Sequence, residues 1–386
     1  MVKDKKKVLI CIDWFLPAYK AGGPIQSIAN LVNHTKSHFD YYIVTSNSDL
    51  DETLDLPILS LNKWINKEDY RIIYLDAQHQ TYKFYKELFY KEQFDAVYFN
   101  SLFSQKFTLL PLLVCKNLPI RKVLAPRGML GKGALAIKPL KKKVFLKLFK
   151  ALGFHKKVVW HVTAESEKLE VLKNFGASSN SLLAPNLSAK TLQTLHPKEK
   201  EVNKLNIFFL SRIAVKKNLG EAIDYLANVK DSYLVNFSII GPIEEPNYWD
   251  ICKVKIDQLP KHIEVNYLGA VPHHEIANHL VDKHILLLPT QHENFGHVIM
   301  ESWQNGCPVV ISDQTPWQSL SNEKLGFEIP LHNKSQFIAK IELFCAMNSD
   351  EFNEWFKASV EFAKKFTENP NLIEQNKALF LNTLNN

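Results

Sequence analysis

In the stretch QHENFGHVIMES (291–302), Glu293 and Glu301 stand eight residues apart, one on each side of a segment with helical periodicity. Phe295, Val298, Ile299, Met300 and Trp303 share one apolar face of a helix predicted to run from near Phe295 to Asn305, and His297, Glu301 and Gln304 fall on the other. Asn294 is a suitable N-cap, Gly306 a suitable stop, and Pro308 cannot continue the helix. The first-turn amides near Gly296 and His297 lack partners inside the helix, and the peptide dipoles add partial positive charge there, so the tip is a seat for an anion. Gly296 has no side chain to block a phosphate. At 1.5 Å rise per residue, Glu301 lies about 9 Å along the axis from the helix start. A phosphate at the tip then leaves a carboxylate on either side, the layout of sugar, phosphates and ribose in a nucleoside-diphosphate sugar. On spacing alone the simpler reading is favoured, with Glu301 a solvated helix residue and Glu293 a loop charge, because glutamate pairs at any spacing are common. Upstream, FFLSRIAVKKNLGEAI (208–223) ends a strand pattern at Arg212 and carries Lys216 and Lys217 into a helical one. Arg212 and Lys217 could clamp a diphosphate, the first in bidentate fashion and the second as a point charge; the alternative is an ordinary basic loop.

The elements that must position these groups alternate. Short β-branched and aromatic runs such as VLICIDW (8–14), YYIVTSN (41–47), DAVYFNS (95–101) and VVWHVTA (158–164) are separated by longer helical patterns. The plan restarts near residue 205 with LNIFFLS (205–211), YLVNFSIIG (233–241), IEVNYLG (263–269), HILLLPT (284–290) and PVVISD (308–313). Near-continuous apolar runs suit strands buried on both faces, and strand–helix alternation predicts parallel sheets in βαβ units. The expected fold is α/β, with two doubly wound Rossmann-like domains facing across a cleft, and ligands bound beyond the carboxyl ends of the strands. The polar, Pro-containing stretch LHPKEKEVNK (195–204) is expected as the linker. The predicted domains are 1–200, completed by a C-terminal helix at 365–386, and 201–364.

Composition narrows the classes. The 386 residues are 46% hydrophobic and 23% charged, the balance of a globular protein with cores of ordinary size. Five scattered cysteines without a C-x-x-C pair argue against a disulfide framework or a zinc site and fit a reducing compartment. The basic, then apolar N-terminus MVKDKKKVLICIDWF is too short in its apolar run for a signal peptide and is read as a first strand. No stretch approaches the roughly 20 apolar residues of a membrane span, so a cytoplasmic location is expected. A net charge of +7 suits a nucleic acid, an anionic membrane or a phosphorylated ligand. A D-x-D in SDLD (48–51) could suggest a metal but is common by chance, and no metal site is assigned.

The motifs SRIAVKKNL, LGAVPHHEIANHL, LLLPTQHENFGHVIMESWQNGCPVVISDQTPW, AGGPIQSIANLV and APRGML resemble, in order from about residue 8 to residue 330, the retaining glycosyltransferases of family 4 (glycosyl transferases group 1), of GT-B fold and of the bacterial surface-polysaccharide type. The resemblance implies catalytic roles for Arg212, Lys217 and Glu293. Arg212 and Lys217 would bind the donor diphosphate, Glu293 the donor sugar and Glu301 the ribose, with the amides of Asn294, Phe295, Gly296 and His297 serving sugar and phosphates. It also favours Gly22 and Gly23 of YKAGGPIQS (19–27) as donor-site residues; from the sequence alone they equally suit a plain βα turn. The implied co-substrate is a nucleotide-diphosphate sugar, with no cofactor. Many members carry a His after the fourth N-terminal strand. Here DAVYFNSLFS (95–104) offers Asn100 or Ser101 instead, with Arg127 and His161 as further acceptor-side candidates. A lone strand histidine is more often a satisfied core residue.

The stretch KPLKKKVFLKLFKALGFHKK (138–157) reads as a basic amphipathic helix, with Leu140, Val144, Phe145, Leu148, Phe149 and Leu152 on one half and Lys142, Lys143, Lys147 and Lys150 opposite. Such helices lie on anionic membranes, or pack on a core with a solvated lysine face. The resulting expectation is a metal-independent, retaining glycosyltransferase, peripheral at the inner face of the cytoplasmic membrane, acting on a glycan or polyprenyl-diphosphate-linked acceptor in O-antigen or capsule synthesis. The competing readings are a nucleotide-sugar epimerase of the same fold and a basic nucleic-acid-binding protein. The latter lacks an interleaved aromatic and basic platform.

Overall fold

A computed structural model describes residues 5–50, 52–56, 60–190 and 195–381. The chain forms two compact units, Met1–Leu187 with Asn369–Asn386, and Ser188–Glu368.

The first unit is built on strands β1 (Lys6–Cys11), β2 (Phe39–Ser46), β5 (Ile65–Asn66), β6 (Tyr70–Leu75), β7 (Ala96–Phe99), β8 (Arg121–Leu124), β9 (Val159–Val162) and β10 (Ser181–Leu183), with a small hairpin of β3 (Ser48–Asp49) and β4 (Glu52–Thr53) beside it. The eight-stranded sheet runs β10-β9-β8-β7-β1-β2-β6-β5, and its pairs are parallel apart from β5 with β6. Val8 to Cys11 are all fully buried because helices cover both faces of the sheet. Side chains alternate between two cores: Leu9, Val44, Val97 and Phe99 join Phe149 and Trp160 on one face, and Val8, Ile10, Ile43 and Tyr98 join Leu31 and Phe380 on the other. The strand order reverses between β1 and β7, so the loops that follow these two strands flank the switch point where such sheets bind ligands.

The second unit repeats the plan with β11 (Lys204–Leu210), β12 (Leu234–Ile240), β13 (Ile263–Gly269), β14 (Ile285–Leu288), β15 (Val309–Ser312) and β16 (Gly326–Ile329), all parallel in the order β13-β12-β11-β14-β15-β16. Its switch point lies between β11 and β14. The loop after β11 carries Arg212 and Lys217, and the loop after β14 carries Glu293.

Three expectations about organisation differ from what is observed. Residues 195–204 do not form the linker; the division falls at Leu187/Ser188. Lys198 and Lys200 are buried, and their ammoniums satisfy backbone carbonyls: Lys198 Nζ donates to Leu280 O (2.8 Å) and Lys283 O (2.6 Å), and Lys200 Nζ to Cys345 O and Met347 O (both 3.1 Å). Charge in the sequence looked like exposure, yet each ammonium serves as a cap for orphan carbonyls. At the other end, the helix Ser349–Thr367 stays in the second unit. The return to the first unit is made by the shorter helix Pro370–Ala378 and the residues after it, with Arg121 Nε bonded to Leu379 O (2.6 Å) and the Phe380 ring 5.2 Å from that of Phe39. Residues 382–386 of the expected helix lie outside the described residues.

The lysine-rich stretch is two helices, Pro139–Ala151 and Phe154–Lys157. Only part of its apolar half packs: Phe149 is buried and Phe145 half-buried, whereas Leu140, Val144, Leu148 and Leu152 are 78%, 57%, 58% and 55% exposed. Phe149 already meets Phe145, Phe154, Trp160 and Phe175, so it closes that core and leaves the rest of the apolar arc outside. Lys142, expected on the solvated face, is half-buried: its Nζ bonds Ala134 O and lies 5.2 Å from the centre of the Phe103 ring. Among the described residues no helix is long and apolar enough to cross a membrane.

Candidate functional site

The second unit gathers its candidates through backbone bonds between loops. The Lys216 carbonyl accepts from Gln291 N (2.9 Å) and from Thr290 Oγ1 (3.3 Å), which ties the turn Val215–Lys217 to the loop after β14. Glu293 N donates to Gln314 O (3.0 Å), fixing the same loop to the residues after β15. This lacing brings Lys217 Nζ onto Glu293 Oε1, an ion pair whose side chains are each 14% exposed. Loss of hydration, then the neighbouring Lys217, lowers the Lys216 ammonium below the usual lysine range, while Glu293 pulls the other way.

Arg212 sits 2.6 Å from Glu244 Oε1. The loop after β12 places that partner: Ile213 N bonds Pro242 O (2.8 Å), and Glu244 N bonds Ile213 O (3.1 Å). The approach demands a glycine. At Gly241, with φ of +141°, a Cβ would lie 2.0 Å from Ser211 O. Sequence reasoning missed both Glu244 and Gly241; the signal was GPIEE (241–245) at the carboxyl end of the neighbouring strand.

The helix that carries Glu301 spans His297–Gln304, shorter than expected, and Gly296 rather than Asn294 is its N-cap. Gly296 takes the left-handed conformation (φ 75°, ψ 66°), and the helix starts two residues later than a start capped by Asn294 would give. Phe295 is buried, its ring 5.3 Å from that of Trp317, whose Nε1 donates to Phe295 O (2.6 Å). Ile299, Met300 and Trp303 face the core as expected. Gln304 does not lie on the open face: it is buried, and its Nε2 bonds Ala189 O (2.6 Å).

Glu301 has a partner the sequence did not suggest. His273, the first residue of the helix His273–His279, brings Nε2 to 3.0 Å from Glu301 Oε1, with side-chain exposures of 31% and 13%. Burial pulls the His273 imidazole down, but the hydrogen bond and charge of Glu301 outweigh it and raise its pKa above the ordinary histidine value. The only sequence signal was the PHHE (272–275) that follows β13.

In the first unit, Gly22 is the N-cap of the helix Gly23–Thr35, at φ 71°. The carboxylate of Asp49 braces its loop by accepting from Tyr19 N (2.8 Å) and Lys20 N (3.0 Å). Asp49 thus serves as a structural acceptor in the D-x-D; Asp51 lies outside the described residues. Asn100 follows β7 and links two candidates, donating to Pro24 O (3.2 Å) and accepting from Arg127 Nε (2.8 Å). Arg127 also donates to Asn186 Oδ1 (2.6 Å) and to Tyr98 Oη (2.9 Å). Ser101 is buried, with its hydroxyl 3.6 Å from Met129 Sδ.

His161 is a core residue and not an acceptor-side group. It is 1% exposed, with Nδ1 2.7 Å from Tyr98 Oη and Nε2 2.7 Å from Ala184 O. Burial, then the Arg127 charge, lowers its pKa to about 3, so the ring is neutral and fully engaged.

The second unit therefore holds two cations, Arg212 and Lys217, each on a carboxylate, at a switch point beside a helix tip. Charge-assisted donors there can bind a diphosphate in exchange for those carboxylates. Among the described residues no group of three or more His, Cys, Asp or Glu could hold a metal ion. A separate cavity of about 550 Å³, lined by Lys198, Lys204, Asn206 and His284, lies at the opposite, amino-terminal edge of the same sheet.

Comparison with known proteins agrees with this architecture. Residues 193–362 match the family described as Glycosyl transferases group 1. Among solved structures, the chain is similar to a sucrose-phosphate synthase from Thermosynechococcus elongatus (TM-score 0.74, 13% identity, 98% of each chain covered). It is also similar to HepE from Anabaena in complex with UDP and glucose (TM-score 0.69, 14% identity, 97% of this chain and 98% of that one). A third similar structure is WaaG, a glycosyltransferase involved in lipopolysaccharide biosynthesis (TM-score 0.66, 13% identity, 97% and 98%). Among curated proteins no sequence matches.

Proposed function

We propose that the chain is a group 1 glycosyltransferase that transfers a sugar, with retention, from a nucleoside-diphosphate donor to a lipid-linked glycan in surface-polysaccharide assembly; the match of residues 193–362 to that family and the GT-B-like fold support this reading. One observation carries the reading: at the β11/β14 switch point Lys217 is paired with Glu293, next to Gly296 at the tip of the helix His297–Gln304. On binding, the diphosphate takes Lys217 and Arg212, and Glu293 is released to accept from hydroxyls of the donor sugar. The amides of Gly296 and His297 meet the phosphates, and Glu301 meets the ribose. That the similar HepE structure holds UDP and glucose supports a donor of this class.

The step follows from these groups. The acceptor hydroxyl attacks C1 of the sugar on the face from which the diphosphate leaves. The C1–O bond to the β-phosphate breaks as the new glycosidic bond forms, and the acceptor proton passes to the departing phosphate oxygen. Negative charge grows on that phosphate, where Arg212 and Lys217 stabilise it without a metal ion. In the first unit, Asn100, Ser101 and Arg127 are the acceptor-side groups.

The helix Pro139–Ala151 supports a membrane-bound acceptor and a cytoplasmic, peripheral location. Leu140, Val144 and Leu148 form an exposed stripe, with Lys143 and Lys147 on one flank and Lys141 on the other, all exposed. Anionic lipid attracts each nearby lysine by about 1 kcal/mol, and the stripe supplies apolar area to enter the interface. The test uses vesicles with anionic lipid and a polyprenyl-diphosphate-linked saccharide. The parent is expected to float with the vesicles and to extend the saccharide from one of a panel of nucleotide sugars, with the donor's anomeric configuration kept in the product by NMR. Changing Lys141, Lys143 and Lys147 together to Glu should abolish flotation and lipid transfer while nucleotide binding persists. An inverted product, or flotation unaffected by the three changes, contradicts the proposal.

A further inference from the structure

Glu301 is held at one oxygen only. Its Oε1 takes His273 Nε2 at 3.0 Å, and among the described residues Oε2 has no hydrogen-bond partner. The carboxylate is 13% exposed, on a helix whose other face is locked by Ile299, Met300 and Trp303. Asn305 Nδ2 fixes the Glu301 carbonyl (2.8 Å) and does not reach the carboxylate. His273 is itself restrained, as the first residue of a helix entered through Pro272.

The terminal torsion of a glutamate is broad, so a carboxylate without a neighbour loses freedom when it binds. A carboxylate tied at one oxygen presents the other in a fixed direction, ready to accept from a ligand hydroxyl. We infer that His273 is a positioning residue, which sets the Glu301 carboxylate for the ribose hydroxyls of the donor and so helps the site select ribonucleotides. The inference rests on the donor reading above and adds a residue that touches no substrate atom.

The experiment uses the full chain and calorimetry. The probe is whichever of UDP, GDP and ADP binds the parent most tightly, together with its 2′,3′-dideoxy counterpart. His273→Leu is expected to weaken the ribonucleotide roughly three- to tenfold, the scale of ordering one side chain on binding, and to leave the dideoxy form unchanged. His273→Gln, whose amide can donate to the same oxygen, should recover most of the loss. Equal weakening of both nucleotides, as a merely structural role would produce, overturns the inference, and so does no weakening of either. A parent that binds none of the three nucleotides overturns the inference, and one that also fails to bind dTDP sinks the donor reading itself.

Discussion

Gly296→Ala perturbs the helix tip at one atom, and the structure gives the size of the effect. Gly296 has φ of +75°, and a Cβ there would lie 2.8 Å from Ile299 Cδ1 and 3.3 Å from Cγ1. Holding alanine in the left-handed region costs about 1–2 kcal/mol. Ile299 is fully buried, so its Cδ1 can retreat only by leaving a good rotamer, about 0.5–1.5 kcal/mol more. The sum, about 1.5–3.5 kcal/mol, should lower the melting temperature of the second unit by roughly 3–14 °C in scanning calorimetry. Ile299→Val separates the two contributions, because it removes Cδ1 and leaves the backbone alone. By itself it should cost about 0.5–1.5 kcal/mol, and in the Gly296→Ala background clearly less, because the clashing atom is gone. A loss below about 0.5 kcal/mol for Gly296→Ala, or an equal cost of Ile299→Val in both backgrounds, would refute the geometry assigned to the tip.

Arg212→Ala and Lys217→Ala should each lower kcat/KM on the order of 10²–10³-fold with the fold intact by circular dichroism, since each removes a cation from the leaving phosphate; parental rates for either variant would dismiss the diphosphate clamp. Transfer should persist in excess EDTA, and its loss with recovery in Mn²⁺ or Mg²⁺ would contradict a leaving group stabilised by protein cations. Stability should fall on the acid side. His161 and His284 have pKa values lowered to about 3 and about 4, in both cases chiefly by burial, so the stability of their neutral forms is complete above about pH 6.5 and is lost as pH falls through the folded values. His161→Gln should flatten the slope between pH 6 and 4, by up to about 1.4 kcal/mol per pH unit, in urea titrations; an unchanged slope would contradict a neutral, buried ring.

The parallel sheets were legible because apolar runs such as FFL (208–210) and ILLL (285–288) admit few other placements, and the polar residues after them then had to gather at the switch points. Residue type and spacing suggested Glu293, Glu301, Arg212 and Lys217 but not their partners. Glu244 lies in the loop after β12, next to β11, and His273 follows β13, three places from β14 in the sheet, and no local pattern encodes which loop reaches which. The helix start was misread because an asparagine suits a cap, while the actual cap depends on a left-handed glycine. A helical wheel marked the apolar arc of 139–151 but could not say that Phe149 and Phe145 would close the core and leave Leu140, Val144 and Leu148 outside. Lys198 and Lys200 were lost the same way, since composition records charge and not the carbonyls waiting for it.

The central claim is that the second unit binds a nucleoside diphosphate through Lys217 and its neighbours. Calorimetry of UDP, GDP, ADP and dTDP, and of their sugars, against the parent and Lys217→Ala tests it most directly. The account predicts that the parent binds one base preferentially and that Lys217→Ala weakens that nucleotide on the order of 10- to 100-fold, the worth of a charge-assisted contact. Binding of none of the nucleotides by the parent, or equal affinity in parent and variant, would contradict it.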